Sequence, residues 1–211
     1  MIRGREKALS EWKPAGVACV SLLLIVKLSD QKLPKERETK SMARRISIAR
    51  ATKIEIPTDL SPDATIEIST ALRQLLADVF SLYIKTKNFH WHMRGPQFRD
   101  YHLLLDEHAA QIFPMTDDIA ERARKIGGTT LRSIGDISRH QRLKDNDDER
   151  VQPREMLMEL RDDNLQLTRF LRAAHKICDR HNDVATASLI ETWIDETERR
   201  SWFLSEIVGE G

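Results

Sequence analysis

The stretch that decides the fold is residues 61–96, which read SPDATIEISTALRQLLADVFSLYIKTKNFHWHMRGP. It opens with a helix-start signal, because Ser61 can cap a helix and Pro62 is favoured at the first helical position. Apolar side chains then recur every three or four residues, which is the spacing of one face of an amphipathic helix. Gly95 and Pro96 break the pattern. The stretch predicts a first helix ending near Met93, with a buried face formed by Ile68, Leu72, Leu75, Leu76, Val79, Phe80 and Tyr83.

Three further amphipathic segments follow. The second begins near Gln97 and stops before Gly127-Gly128, and the third runs from Pro153 to about Cys178. After a turn at residues 181–183, the fourth continues to Gly209. The connection over residues 129–150 is weakly apolar and has room for one short helix. Four long helices with a longer central link predict an all-α four-helix bundle over residues 58–211, with a short extra helix in the central connection.

The composition agrees with a helical protein. Of 211 residues, 32% are charged and 6% are aromatic, which suits one helix-rich domain better than a β-sandwich or a disordered chain. The two cysteines, Cys19 and Cys178, fit neither a disulfide framework nor a cysteine-based zinc site. We expect no membrane association and a cytoplasmic location.

The charge is unevenly distributed. Residues 1–53 contain 13 Lys and Arg against 5 Asp and Glu, a net charge of +8, so the remaining residues account for −7 of the whole chain's +1. We therefore interpret residues 1–57 as a basic, flexible extension. It either engages a polyanion or is simply a solvated tail. The side chains that could contact nucleic acid phosphates are Arg44, Arg45, Arg50 and Lys53.

The apolar run at residues 15–26 is too short to span a bilayer, which requires about 20 apolar residues. It resembles the apolar region of a signal peptide, but no small-residue cleavage site follows it. The preferred interpretation is that residues 1–41 are not native and that the protein starts at Met42. An unusual extension and a signal peptide are the alternatives.

The second helix contains two pairs of metal-ligating residue types at helical spacing. His102 and Asp106 are four residues apart, as are Asp117 and Glu121. With His102 at zero and about 100° per residue, the other three lie near 40°, 60° and 100°, on one stripe of the helix. His90 lies on the far side of the Gly95-Pro96 turn. Imidazole and carboxylate ligands together suit iron or zinc.

One chain cannot bring the two pairs to one ion, because Asp106 and Asp117 are about 16 Å apart along a helix. They could meet if a second copy of the helix lay antiparallel, about a two-fold axis near residues 111–112. Each dimer would then hold two sites, each completed by the partner. Acidic residues at this spacing are also typical of a solvated helix face, and the spacing alone leaves both interpretations open.

The motifs resemble those of the Dps family, the miniferritins named for DNA protection in starved cells. The resemblance covers about residues 58–208 and depends on KNFHWHMRGPQF at 87–98, HLLLDE at 102–107, DDIAERA at 117–123 and Gly127-Gly128. It implies a ferritin-like fold and a hollow dodecamer. It also implies a di-iron ferroxidase site at each two-fold interface, with His90, His102 and Asp106 from one subunit and Asp117 and Glu121 from the other.

The chemistry implied by the resemblance is oxidation of iron(II), preferably by hydrogen peroxide and otherwise by dioxygen, with storage of iron(III) mineral. Trp91 resembles a tryptophan that the family has beside the site, where it either quenches oxidising equivalents or packs. Acidic pores at the three-fold axes would admit iron, and Asp179 and Asp183 are the candidates here. We expect Pro114, inside the second helix, to kink it between the ligand pairs.

Two other functions make different demands on the sequence. A bacterioferritin-like site inside one bundle needs a Glu-x-x-His motif, and none of the seven histidines has a glutamate three residues before it. A non-enzymatic nucleoid protein, binding DNA without sequence preference through the basic arm, remains as the alternative. Because all five ligand positions are filled, we expect any DNA binding to be added to iron oxidation and not to replace it.

Overall fold

The computed structural model describes residues 56–209, and within that range every regular element is a helix. The helices are α1 (Pro62–His92), α2 (Phe98–Lys125), α3 (Ile134–His140), α4 (Pro153–Arg180) and α5 (Val184–Val208). The four long helices form the predicted bundle, and α3 is the predicted short helix of the central connection. The all-α architecture expected from the sequence is therefore confirmed. The interpretations of residues 1–55 lie outside the described range.

The helix ends follow local chemistry. Ser61 caps α1, since its side chain accepts a hydrogen bond from the Ala64 backbone N–H at 3.2 Å, and Pro62 occupies the start of the helix. Gly95 follows α1 with φ of 101°, a conformation that suits glycine. These local signals place the α1–α2 turn where the sequence predicted it.

The helices pack as two pairs. α1 lies along α2 and α4 lies along α5, and the pairs meet mainly through α1 and α4. The apolar stripe of α1 supplies much of the core, with Ile68, Leu72, Leu75, Leu76 and Val79 buried and Phe80 and Tyr83 partly buried. No helix in the described part of the chain is long and apolar enough to cross a membrane.

A buried carboxylate secures the central connection. Asp78 of α1 is fully buried and accepts hydrogen bonds from Arg142 Nε at 2.9 Å and Nη2 at 2.6 Å, and from the backbone N–H of Leu143 at 3.2 Å. The guanidinium of Arg142 also lies 3.7 Å from the centre of the Phe170 ring of α4. The contacts of Arg142 with Asp78 and Phe170 hold in place a connection that has few apolar residues of its own. The sequence did not indicate these contacts.

Candidate metal centre

His90, at the end of α1, and His102, at the start of α2, face each other across the turn. His90 Nδ1 lies 2.8 Å from the His102 carbonyl oxygen, and His102 Nδ1 lies 2.9 Å from the His90 carbonyl oxygen. The rings stack with centroids 3.8 Å apart. A carbonyl oxygen only accepts hydrogen bonds, so each Nδ1 donates its proton. In the neutral ring each Nε2 is then left with a free lone pair, which is the form that binds a metal.

Asp106 lies one helical turn after His102, beside this pair. Its Oδ1 is 3.9 Å from His90 Nε2 and accepts a hydrogen bond from Lys87 Nζ at 2.8 Å. That hydrogen bond and the charge of Lys87 lower the pKa of Asp106, so the group is a carboxylate at neutral pH. His90 therefore lies against both the His102 ring and the Asp106 carboxylate, and an ammonium group is held on that carboxylate.

Asp117 and Glu121 lie farther along α2, and both are exposed. The carboxylate of Glu121 pairs with Lys125 Nζ at 2.8 Å, and the hydrogen bond from Lys125 lowers the pKa of Glu121. Within residues 56–209, no three His, Cys, Asp or Glu side chains converge into a group that could hold a metal ion by itself. In one chain the candidate ligands therefore form two separate half-sites.

Exposed apolar side chains lie on α2 beside the first half-site and between the two half-sites. Leu103 is 47% exposed and Phe113 is 52% exposed, and the neighbouring Ala110 and Pro114 are also exposed. By helix geometry they lie on the same stripe as the ligands, about 20–120° round from His102. A water-exposed apolar face between polar half-sites is typical of a contact surface. This surface was not among the predictions from the sequence, although the helical spacing of these residues indicates it.

α2 continues on both sides of Pro114, and the kink expected there stays a prediction. Of the other histidines, His92 is exposed and its Nδ1 bonds to the Asn88 carbonyl oxygen at 2.8 Å, while His108 is buried in the bundle. Neither joins the group formed by His90 and His102.

The two residues proposed for iron uptake have different surroundings. Asp179 is exposed, and its Oδ2 lies 3.0 Å from His175 Nδ1. Asp183 is buried and caps α5, where it accepts hydrogen bonds from the Thr186 backbone N–H at 3.1 Å and from Arg122 Nη2 at 2.6 Å. These contacts give Asp183 a structural role, and the pore assignment stays a prediction for both residues.

The proposed DNA contacts are not within the described residues. The four side chains proposed to contact DNA precede residue 56, where the described range begins: Arg44, Arg45, Arg50 and Lys53.

Known proteins that resemble this chain show the class of protein to which it belongs. The family model of the ferritin-like domain matches residues 69–211 of this chain. The four long helices, including α2 with its candidate ligands, therefore form a ferritin-like bundle. DNA protection during starvation protein 1 of Deinococcus radiodurans is 32% identical over 141 residues, which span 67% of this chain and 68% of that protein. The DNA protection during starvation protein of Agrobacterium fabrum is 31% identical over 152 residues, 72% of this chain and 94% of that protein.

Solved structures agree with this class. DpsC from Streptomyces coelicolor superposes with a TM-score of 0.72 and 25% identity, covering 74% of this chain and 92% of that one. The chain belongs to the Dps family. The family expected from the motifs at residues 87–128 is confirmed.

Proposed function

We propose that this protein is an iron-storing ferroxidase. It binds iron(II) at sites shared between two copies of α2, oxidises it with hydrogen peroxide or dioxygen, and stores iron(III) mineral inside a dodecamer built from two-fold dimers. The observation that supports this most directly is the pair His90 and His102. Their rings are set by reciprocal backbone hydrogen bonds, which leave both Nε2 lone pairs free beside the Asp106 carboxylate.

The donor set suits iron as the substrate. Imidazole nitrogen and carboxylate oxygen are borderline-to-hard ligands, and they accept iron or zinc more readily than copper(I). Carboxylates stabilise iron(III) more than iron(II), so a site with Asp106, Asp117 and Glu121 favours loss of an electron. Two iron(II) ions reduce one hydrogen peroxide molecule to two hydroxide ions as its O–O bond breaks. Removing both reagents together limits formation of hydroxyl radicals.

The surface of α2 supports the shared site. An antiparallel copy about a two-fold axis near residues 111–112 would bring Asp106 opposite Asp117 of the mate and His102 opposite Glu121. The same docking would cover Leu103 and Phe113, which are about half-exposed in one chain. A two-fold interface is self-complementary, so one contact would create two equivalent sites.

Two lysines would leave the carboxylates when iron binds. Lys87 holds Asp106 and Lys125 holds Glu121, each at 2.8 Å. Each lysine ammonium group balances the negative charge of its carboxylate until a metal ion takes the place of the ammonium group. The Lys87 ammonium also lies 5.9 Å from the Trp91 ring, so it can move toward the aromatic face when it is displaced.

The central test is anaerobic iron(II) titration followed by hydrogen peroxide, comparing the wild type with His102→Ala/Asp106→Ala. We expect the double variant to lose high-affinity binding and rapid oxidation. His92→Ala is the matched control, since His92 is exposed and lies on the same segment without joining the pair. Unchanged oxidation in the double variant would overturn the proposal.

Sharing is tested by complementation. When His102→Ala/Asp106→Ala is co-refolded with Asp117→Ala/Glu121→Ala, each mixed dimer regains one complete site. Random pairing would then restore roughly a quarter of wild-type activity, because half of the dimers are mixed and each has one intact site of two. No recovery in verified mixed oligomers would show that the ligands are not shared.

The proposed biological role is protection of DNA from oxidative damage, as the names of the relatives from Deinococcus radiodurans and Agrobacterium fabrum suggest. Non-specific DNA binding by Arg44, Arg45, Arg50 and Lys53 remains a separate proposal. Such binding should weaken steeply as salt rises. A mobility-shift comparison of the full chain with one lacking residues 42–53 tests it, and equal binding by the two would exclude the arm.

A further inference from the structure

Arg200 of α5 is buried in the interior of the bundle, and none of the acidic side chains at residues 56–209 pairs with it. Its side chain is fully buried, with 0% exposure. Nε donates to Asn164 Oδ1 at 3.0 Å and Nη2 donates to Thr197 Oγ1 at 2.8 Å. Nη1 is buried and has no hydrogen-bond partner among the described residues. One end of the guanidinium is therefore satisfied by neutral oxygens, and the other end has unused N–H donors.

The groups that contact the Arg200 guanidinium are neutral. Asn164 of α4 and Thr197 of α5 are uncharged, and on the α2 side the sulfur of Met115 lies 4.0 Å from Nη2. The carboxylate whose charge acts on Arg200 is Glu196, one turn earlier on α5, and it forms no ion pair with the guanidinium. Burial lowers the pKa of Arg200 to about 10, so the group is protonated at neutral pH.

An uncompensated charge in a protein interior is very unfavourable. Transfer of an ion from water costs several kcal/mol even after relaxation, and buried charges are normally paired. The hydrogen bonds that Arg200 donates to Asn164 and Thr197 replace part of its lost hydration, but they add no opposite charge. A water molecule at Nη1 would accept a hydrogen bond and would also leave the charge uncompensated.

We infer that the bundle interior beside Arg200 is a binding site for one small inorganic anion of the halide class, held by Nη1 between α2, α4 and α5. The anion supplies both the missing hydrogen-bond acceptor and the missing negative charge. Met115 on α2, whose sulfur lies 4.0 Å from Nη2, is buried like Arg200 itself, so the site admits only a small ion. A cation such as iron(II) is repelled there, so this site is distinct from the metal ligands of α2 and independent of the proposed ferroxidase activity.

Bromide is the direct probe. Crystals of the full-length protein grown in sodium bromide should show an anomalous peak within hydrogen-bonding reach of Arg200 Nη1. A water molecule in that position, or no density, in a bromide crystal would overturn the inference. This measurement uses the wild type and does not depend on the folding of any variant.

Stability gives a second, independent measurement. An anion that binds only the folded state raises the Tm with its concentration. We expect chloride to raise the Tm of the wild type above its value in sodium gluconate at equal ionic strength, with saturation. Arg200→Met should abolish this difference. Arg199→Met is the control, because Arg199 is the exposed neighbouring arginine, and it should keep the difference. A chloride effect that survives in Arg200→Met would also overturn the inference.

Discussion

Substitution of Asp183 can show whether this residue stabilises the start of α5 or lines a pore that admits iron. The substitution is Asp183→Asn, which is nearly isosteric and keeps a residue that caps helices as well as aspartate does. It removes the negative charge that faces Arg122 Nη2 at 2.6 Å, and it replaces one carboxylate oxygen, an acceptor, with a donor. If Asp183 mainly stabilises the start of α5, the variant should lose stability.

The expected loss can be estimated from burial. The Asp183 side chain is 3% exposed and that of Arg122 is 18% exposed. Removing one partner of a buried ion pair costs about 3–5 kcal/mol, and the lower end applies here because Arg122 can reach water. For a domain of this size, about 3 kcal/mol corresponds to a fall in Tm of about 6–12 °C.

The assay is thermal unfolding at matched protein concentration, together with the rate of iron(II) uptake. Asp179→Asn is the control, because Asp179 is exposed and its substitution should change stability by less than about 0.5 kcal/mol. A Tm of Asp183→Asn within 2 °C of the wild type would refute the structural reasoning, by the same scale of about 2–4 °C per kcal/mol. Slower iron uptake without loss of stability would support the pore assignment instead.

Three further predictions follow from particular contacts. Lys87→Met should tighten anaerobic iron(II) binding, measured by calorimetry, by less than about fivefold. The Asp106 carboxylate is exposed to water, so its ion pair with Lys87 competes only weakly with the metal ion; weaker binding would contradict the role of Lys87. Cys178 should resist a disulfide reagent at pH 8 until the protein unfolds, because burial raises the pKa of its thiol to about 12; rapid labelling of the native protein would contradict this. Gly128→Ala should lower stability by about 1–3 kcal/mol in denaturant unfolding. The new Cβ would lie 2.3 Å from Ser69 Cβ, and adding Ser69→Gly should recover part of the loss; an unchanged unfolding midpoint in the single variant would contradict the predicted clash.

The helices of the bundle were predictable because their signals are local. Ser61 and Pro62 begin α1, and the apolar spacing that follows depends only on the geometry of one helix. The separation of the candidate metal ligands into two groups along α2 was also predictable. The rise of an α-helix is nearly constant, so Asp106 and Asp117 cannot bind one ion from one chain.

The interactions between distant segments were not predictable. The Asp78 carboxylate meets Arg142, 64 residues later, and nothing near either residue in the sequence indicates the pair. Asp183 looked like a surface carboxylate in a turn, but packing against Arg122 buries it. Arg199 and Arg200 are adjacent in the sequence, and only packing buries Arg200 in the core while Arg199 remains exposed.

The sequence by itself determined the order of the helices, the family, and the stripe of candidate ligands along α2, because each depends on spacing within a short segment. Only the tertiary structure decided which nitrogen of His90 and of His102 is free, since that depends on a carbonyl oxygen across the turn. It also decided that a lysine pairs with Asp106, and that an arginine without an acidic partner in the described part of the chain occupies the interior. Such features arise when separate segments pack, and burial then makes each unsatisfied charge or donor costly.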